Sequence, residues 1–311
     1  MKEFLKQSVY FVLGLLIIIG AFALLNSNFR KKMLNPENFQ FSDSISVLMI
    51  GDSEIALSLN PEFIPNSVNQ SIVSEHYLYT YTRLKWFLNN NPQLKFIFLG
   101  FNYSNIAKKY DTKLTDPTQR AFFFSRVFIL LDENELNLLY SPDLLFFRNY
   151  LAWKWGFPTK ENMSLLLKTH FGKLTQESMP FWGSYLDGGV TYSVGRARER
   201  IFEMFGNESE CGIAPLQMKY LNQIIDLCRT HQVKLILFAS PLSDNFYNLI
   251  PDFYISEFQR IQNELPDDIR FLDYSRYPLP DSCFNDANHV NHYGAEIISR
   301  RVVEELASMK K

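Results

Sequence analysis

The chain has 311 residues, with 31 basic and 33 acidic side chains and a net charge of −2. This balance excludes the strongly basic surface typical of nucleic-acid-binding domains, so we expect no nucleic acid partner. Hydrophobic residues make up 47% of the chain, enough for one large core or two small ones. The three cysteines, Cys211, Cys228 and Cys283, follow no metal-ligand spacing, and we expect neither a metal nor a cofactor.

An apolar segment near the N-terminus predicts a membrane anchor over residues 1–32. Residues 9–25 contain no charged side chain and are flanked by Lys2 and Lys6 on one side and by Arg-Lys-Lys at 30–32 on the other. This length is at the lower limit for crossing a bilayer. We favour an uncleaved anchor; a cleaved signal peptide and a buried core helix are the alternatives. Because both flanks are basic, the positive-inside rule does not orient the segment.

Beyond a polar linker at residues 35–43, apolar runs that predict strands alternate with helical patterns. Strands are predicted at residues 47–50, 67–71, 94–99, 233–238 and 269–273. Helices are predicted at residues 76–89, 215–228, 253–265 and 293–309. This alternation predicts an α/β fold with a mostly parallel sheet covered on both faces.

Residues 106–209 interrupt the alternation. Aromatic-rich helical patterns, a loop-like segment and a charged helix follow one another there, at residues 121–131, 133–140, 144–155, 179–189 and 196–205. We interpret the segment as an insertion over one edge of the sheet that acts as a lid or platform; the alternative is additional helical core. Phe122, Phe123 and Phe124 cannot all face one interior, so some face a cavity, a partner or lipid.

The first buried strand ends abruptly at Gly51-Asp52-Ser53, and an apolar helical pattern starts at Ile55. A serine at the carboxyl end of such a strand lies where open α/β sheets bind their ligands. The alternative is that Ser53 only caps the following helix, as serines often do. The rest of the chain has to decide between the two interpretations.

Polar residues after two predicted strands and in the last loop suggest one catalytic site. A serine hydroxyl is a weak nucleophile and needs a base within hydrogen-bond distance. We expect His289 to be the base of Ser53, and Asp286, three residues earlier, to orient the imidazole. The expected oxyanion donors are the side-chain amide of Asn102 and the backbone N–H groups of Ser53 and Ser71.

Other polar residues near these motifs receive simpler interpretations. Asp52 is adjacent to Ser53, so we interpret it as a hydrogen-bond acceptor in the turn rather than as the acid of the triad. His292 is expected to begin the last helix and is the second-choice base. We expect His76, His170 and His231 to be surface or packing residues.

Three motifs resemble the sequence blocks of the SGNH (GDSL-like) hydrolase superfamily. Gly51-Asp52-Ser53 is similar to its first block, and Gly100-Phe101-Asn102 is similar to its Gly-x-Asn block. Asp286-Ala287-Asn288-His289 is similar to its terminal Asp-x-x-His block. The resemblance covers residues 45–105 and 214–308 and not the middle.

Two positions depart from that family pattern. Ser71 stands where the second block usually has a glycine whose N–H joins the oxyanion hole. Tyr103 follows Asn102, where many of these hydrolases have an aspartate. The second departure makes a standard soluble esterase less expected.

The resemblance implies a flavodoxin-like three-layer α/β/α domain over residues 33–311, with Ser-His-Asp esterase or acyltransferase chemistry. Gly51-Asp52-Ser53-Glu54 and the terminal block look most like the membrane-anchored branch of the superfamily. That branch includes the DltD-type proteins of teichoic acid D-alanylation and the alginate acetylation proteins. It implies a single-pass protein of the cytoplasmic membrane with its catalytic domain on the extracytoplasmic side.

The same resemblance implies a role in the cell envelope, in polysaccharide or other polymer modification. The expected activity is O-acyl transfer, favoured over hydrolysis, on acyl groups of a cell-surface polymer. The expected partners are an acyl donor, a cell-surface glycan or other polymer as acceptor, and a membrane-bound protein that transports the acyl group. The alternative, favoured by the missing glycine at Ser71, is a catalytically inactive SGNH-fold protein that binds glycan or assists assembly.

Overall fold

The computed structural model describes residues 1–139, 172, 179–189, 196–207 and 211–309. The chain divides into two compact units. One unit comprises Met1–Phe39 and Arg120–Phe181, and the other comprises Gln40–Gln119 and Trp182–Lys311. The helix predicted at residues 144–155 and His170 lie outside the described residues.

Five parallel strands form one sheet in the second unit, in the order β2-β1-β3-β4-β5. The strands are β1 (Val47–Ile50), β2 (Ser67–Asn69), β3 (Phe96–Gly100), β4 (Lys234–Ala239) and β5 (Arg270–Asp273). The strand order reverses between β1 and β3, which is the position where doubly wound sheets open a crevice for ligands. The predicted α/β fold with a mostly parallel sheet is confirmed.

The register of the central strands brings their carboxyl ends to one edge of the sheet. Ile50 pairs with Leu99, and Leu99 pairs with Leu237. All four residues of β1 and all five of β3 are buried, as their continuous apolar sequences require. The polar segments that follow these strands therefore meet at one place.

Eleven α-helices are present in the described residues. They are α1 (Lys2–Met33), α2 (Ser53–Ser58), α3 (Tyr77–Asn90), α4 (Tyr103–Ile106), α5 (Pro117–Val127), α6 (Glu133–Leu138), α7 (Ala197–Phe205), α8 (Pro215–Thr230), α9 (Asp244–Tyr247), α10 (Asp252–Glu264) and α11 (His292–Met309). The helix predicted at residues 121–131 begins earlier than expected, because Pro117 is suited to the first helical turn. The other predicted helix ends in the described residues differ by only a few positions.

The first helix has the length and composition of a membrane span. Its segment Lys2–Ala21 has a mean hydropathy of 1.9, and none of that segment is buried. Twenty helical residues extend about 30 Å, which matches the hydrocarbon thickness of a bilayer. The helix continues through Arg30, Lys31 and Lys32 to Met33, so the predicted polar linker begins only after its end.

The three consecutive phenylalanines on α5 differ in burial, as expected for neighbours on a helix. Phe123 and Phe124 are buried, whereas 42% of Phe122 is exposed. The Arg126 guanidinium lies over the Phe122 ring, 4.4 Å from its centroid. Successive helical residues point about 100° apart, so three in a row cannot share one interior.

The two ends of the predicted insertion lie side by side. Ala107 and Ile213 form an antiparallel bridge, and the N–H of Lys108 donates to the carbonyl of Gly212 at 2.7 Å. A further bond runs from the N–H of Ala214 to the carbonyl of Ile106 at 2.9 Å. Backbone hydrogen bonds therefore join the chain segments at residues 106–108 and 212–214.

Candidate active site

Ser53 is the first residue of α2, directly after the turn that ends β1. The cap of this helix is Asp52, whose Oδ1 accepts the N–H of Glu54 at 3.1 Å. The Ser53 hydroxyl takes no part in this cap and has another hydrogen-bond partner. The interpretation of Ser53 as only a capping residue is therefore wrong.

Two glycines allow α2 to cross the strand ends at close range. A Cβ on Gly100 would lie 2.8 Å from Cγ1 of Ile55, which is closer than carbon atoms can approach. Gly51 has a φ of +150°, and a Cβ there would lie 3.1 Å from the N atom of Gly100. The two glycines place the start of α2, and with it Ser53, against the end of β3.

The structure brings together the three residues proposed as a triad. Oγ of Ser53 lies 2.9 Å from Nε2 of His289. Nδ1 of His289 lies 3.0 and 2.9 Å from the two carboxylate oxygens of Asp286. The Asp286 carboxylate also accepts the backbone N–H groups of Asn288 and His289, at 3.0 and 2.9 Å. These contacts fix the short loop in the conformation that joins acid and base.

The hydrogen bonds define the tautomer of His289. Because a carboxylate only accepts, Nδ1 carries the proton toward Asp286 and Nε2 has its lone pair toward Ser53. Burial alone would lower the pKa of His289, but Glu54 and Asp286 raise it above its ordinary value. Partial burial opposes ionisation of Asp286, yet its hydrogen bond with His289 holds its pKa below the ordinary value.

The raised pKa of His289 predicts the pH dependence of any reaction at Ser53. Only a neutral imidazole accepts the serine proton, so the rate falls as the pH drops through the pKa of His289. We expect the midpoint of this acid limb to lie above pH 6.5, the ordinary histidine value. The measurement is the rate of covalent labelling by a fluorophosphonate probe from pH 5 to pH 9, with the stability of the protein checked at each pH. A midpoint below 6.5 would contradict the prediction.

Asn102 provides the amide that the sequence proposed for an oxyanion hole. Its Oδ1 accepts the backbone N–H of Ser240 at 3.0 Å, which identifies Nδ2 as the other end of the amide. Nδ2 is buried and has no hydrogen-bond partner among the described residues. A buried, unpartnered N–H donor is what a developing oxyanion requires, and Asn102 follows β3 as Ser53 follows the neighbouring strand β1.

The predicted oxyanion role of the Ser71 N–H needs correction. That N–H donates to Oδ1 of Asn69 at 3.0 Å. Asparagine side chains commonly accept the backbone N–H of the residue two positions further along the chain in this way. It is therefore not a free donor. The remaining candidate donors are Asn102 Nδ2 and the N–H of Ser53, which is in the first turn of α2 and has no intrahelical acceptor.

Asp52 has the acceptor role expected from its position, with more partners than the sequence indicated. Its Oδ2 accepts from Nδ2 of Asn105 at 2.9 Å and from the hydroxyl of Tyr110 at 2.6 Å. Asn105 in turn accepts the N–H of Asn102 at 2.7 Å. Asp52 thereby ties the turn after β1 to the segment after β3.

Sequence reasoning missed a second carboxylate beside the triad. Glu54 is buried, and its Oε1 lies 3.9 Å from Nε2 of His289. Oε1 accepts from Nδ2 of Asn288 at 2.8 Å, and Oε2 accepts from the hydroxyl of Ser240. Burial raises the pKa of Glu54, while His289 and these two donors act against that rise. The available signal was a glutamate directly after the proposed nucleophile.

A cavity of about 240 Å³ contains Ser53 and extends toward the predicted insertion. Lys109, Lys113, Arg200 and Met204 of the insertion line it. Burial lowers the pKa of Lys113 to about 8. These described parts of the insertion therefore form walls of the candidate site.

Residues 183–186 contact the segments that follow β2 and form α2. The N–H of Ser184 donates to the carbonyl of Ser71 at 3.1 Å, and the N–H of Leu186 donates to the carbonyl of Ala56 at 2.8 Å. Any side chain in place of Gly183 would overlap the carbonyl of Ser71. The sequence predicted only a loop here, and its hydrogen bonds to Ser71 and to α2 were missed.

Three other histidines of the described residues lie outside the triad. His292 begins α11, and its Nδ1 is 3.6 Å from Oδ2 of Asp187; His289, and not this second-choice base, contacts Ser53. His76 is buried; its Nδ1 caps α3 by accepting the N–H of Leu78, and its Nε2 bonds Asp111 at 3.0 Å. His231 follows the end of α8.

A family model matches residues 207–310, a stretch that includes Asp286 and His289 but not Ser53. One similar solved structure is described as that of "a putative platelet activating factor from Streptococcus pneumonia". The similarity covers 95% of this chain and 99% of that chain, at 11% identity and a TM-score of 0.43. No curated protein matches the sequence.

Proposed function

We propose that this protein is a membrane-anchored serine acyltransferase or esterase of the SGNH type. The observation that carries the proposal is the continuous contact from Ser53 Oγ through His289 to the Asp286 carboxylate. Nucleophile, base and orienting acid stand in the order that acyl transfer requires. The unpartnered amide of Asn102 adds the electrostatic component.

The geometry supports a two-step reaction. In the first step Ser53 Oγ attacks an acyl carbonyl, its proton passes to Nε2 of His289, and the carbonyl oxygen becomes an oxyanion facing Asn102. Collapse of this intermediate expels the leaving group, which takes the proton from His289, and leaves an ester on Ser53. In the second step His289 deprotonates an acceptor hydroxyl, which attacks the ester and returns Ser53 to its free form.

The two steps suit transfer to a hydroxyl acceptor and hydrolysis by water alike. The enclosed surroundings favour transfer: His289 is only 7% exposed, and insertion residues line the cavity beside Ser53. A site that limits access of bulk water protects an acyl-enzyme until an acceptor arrives. We therefore favour O-acyl transfer over hydrolysis.

The location and the partners follow from α1 together with the motif resemblance. A span at the N-terminus would tether the chain to a bilayer. The resemblance to the DltD-type and alginate-acetylation branch favours the extracytoplasmic side and a cell-surface polymer as acceptor. An acyl donor handed across the membrane by a membrane-bound transporting protein fits such an enzyme.

Covalent trapping tests this proposal. The full chain in detergent is treated with a fluorophosphonate probe and digested, and the adduct is located by mass spectrometry. We expect a single adduct on Ser53, because only a serine with an adjacent base reacts rapidly. Folded protein that carries no adduct, or carries it on another residue, would overturn the proposal.

A second candidate function is an inactive protein of the same type that binds glycan or assists assembly. Ser71 favours it, because this position provides neither the glycine nor a free N–H to the oxyanion hole. The same experiment separates the two functions. Folded protein that binds a polymer but never acquires the adduct would support the binding protein.

A further inference from the structure

The side chain of Glu54 contacts both halves of the candidate site. One carboxylate oxygen accepts from Asn288, which precedes His289, and the other accepts from Ser240, which follows β4. The backbone N–H of Ser240 holds Oδ1 of Asn102 at 3.0 Å. Glu54 is 3% exposed and lies next to Ser53 in the chain. A single buried side chain thus joins the base loop to the proposed oxyanion donor.

The contact with Asn288 bears directly on the base. Nε2 of His289 has one lone pair, and two donors lie within reach of it: Ser53 Oγ at 2.9 Å and Asn288 Nδ2 at 3.1 Å. The Asn288 amide has two N–H groups, so it can donate to Glu54 and lie beside Nε2 at the same time. Its bond to Oε1 of Glu54, at 2.8 Å, is charge-assisted and therefore the stronger of the two, so Glu54 determines where the amide lies relative to the base.

Asn288 is also held from its other end. Its Oδ1 accepts from Nε of Arg200 at 3.2 Å, and Arg200 is paired with Glu203 at 2.8 Å. The charged groups that act on His289 are therefore Glu54 and Asp286, which favour its protonated form, and Arg200, which opposes it. Asp52 is the further charge that acts on Glu54.

We propose that Glu54 is a positioning residue that fixes the Asn288 amide beside the base and, through Ser240, fixes the amide of Asn102. The inference rests on the proposed function, since it assigns Glu54 a role in the reaction of Ser53. Glu54 itself acts through Asn288 and Ser240. Its negative charge near Nε2 also sets the pH at which His289 becomes available.

The test compares pH profiles of fluorophosphonate labelling of the full chain in detergent. In Glu54→Gln the midpoint of the acid limb should move to lower pH, because the carboxylate that favours protonated His289 is gone. The plateau rate should fall about tenfold or more, as expected when reacting groups lose their alignment. Arg200→Gln is the matched control of opposite charge, and its midpoint should move to higher pH.

Ser240→Ala tests the second link while keeping the charge of Glu54. We expect a lower plateau rate with an unchanged midpoint, and this variant also serves if Glu54→Gln does not fold. A Glu54→Gln midpoint equal to that of the wild type would overturn the inference, as would Ser240→Ala labelling at the wild-type rate. Absence of wild-type labelling at Ser53 would instead overturn the proposed function.

Discussion

Replacement of Ser53 by alanine is expected to reduce hydrolysis of a chromogenic acyl ester such as p-nitrophenyl acetate by roughly 10⁴ to 10⁶-fold. The hydroxyl is the only group of the proposed triad that forms the covalent bond. Its loss leaves His289 and Asp286 in place with nothing to activate except water. The measurement is kcat for the full chain in detergent, with fluorophosphonate labelling as a second readout that should disappear completely.

Two matched variants control this prediction. Ser104→Ala removes a buried serine that lines the same cavity, and we expect a change of less than about tenfold. His292→Ala removes the histidine three residues beyond His289, which contacts Asp187 instead of Ser53. If Ser53→Ala kept most of the activity, or if His292→Ala lost it, the assignment of the triad would be wrong.

The sequence was sufficient to predict the sheet and the meeting of three distant segments. Continuous apolar runs identify strands that are buried on both faces. The residues that follow neighbouring parallel strands lie at the same edge of the sheet. Ser53 and Asn102 follow such strands directly. Asp286 and His289 are three residues apart in one loop, so local backbone geometry alone can join them.

The supporting contacts were not predictable in the same way. Arg200 reaches Asn288 across 88 positions of sequence, from a helix whose pattern indicates only a charged surface. Ser240 is an ordinary serine after a strand, and only the fold shows that its hydroxyl meets Glu54. The hydrogen bond from the Ser71 N–H to Asn69 depends on the side-chain rotamer of Asn69, which the pattern of apolar residues does not predict.

The buried ion pair of α3 was missed for a related reason. The spacing of residues 76–89 predicted a helix but gave no position for Arg83. Arg83 is fully buried, and both oxygens of Glu75 accept from its Nη1, at 2.8 and 2.7 Å. Its Nη2 donates to the carbonyl of Gln70, directly after β2. The hydroxyl of Thr80 also donates to Oε2 of Glu75, at 2.9 Å.

Arg83→Met is expected to destabilise the protein by about 3–5 kcal/mol, the usual cost of leaving one member of a buried ion pair alone. The substitution leaves the Glu75 carboxylate buried without its cation and frees the carbonyl of Gln70. Burial already raises the pKa of Glu75, with Arg83 acting against that rise. The free energy of unfolding of the full chain, measured by urea denaturation in detergent at pH 7, checks the prediction.

Two comparisons test whether the stability lost in Arg83→Met comes from the burial of the ion pair rather than from ion pairing alone. Arg229 makes a bidentate pair with Asp268, at 2.6 and 2.7 Å, but both side chains are about half exposed; Arg229→Met should therefore cost far less. The cost of Arg83→Met should also shrink as the pH falls, because a protonated Glu75 no longer carries an unpaired buried charge. Equal losses for the two arginines, or a loss independent of pH, would show that the buried charge is not what Arg83 stabilises.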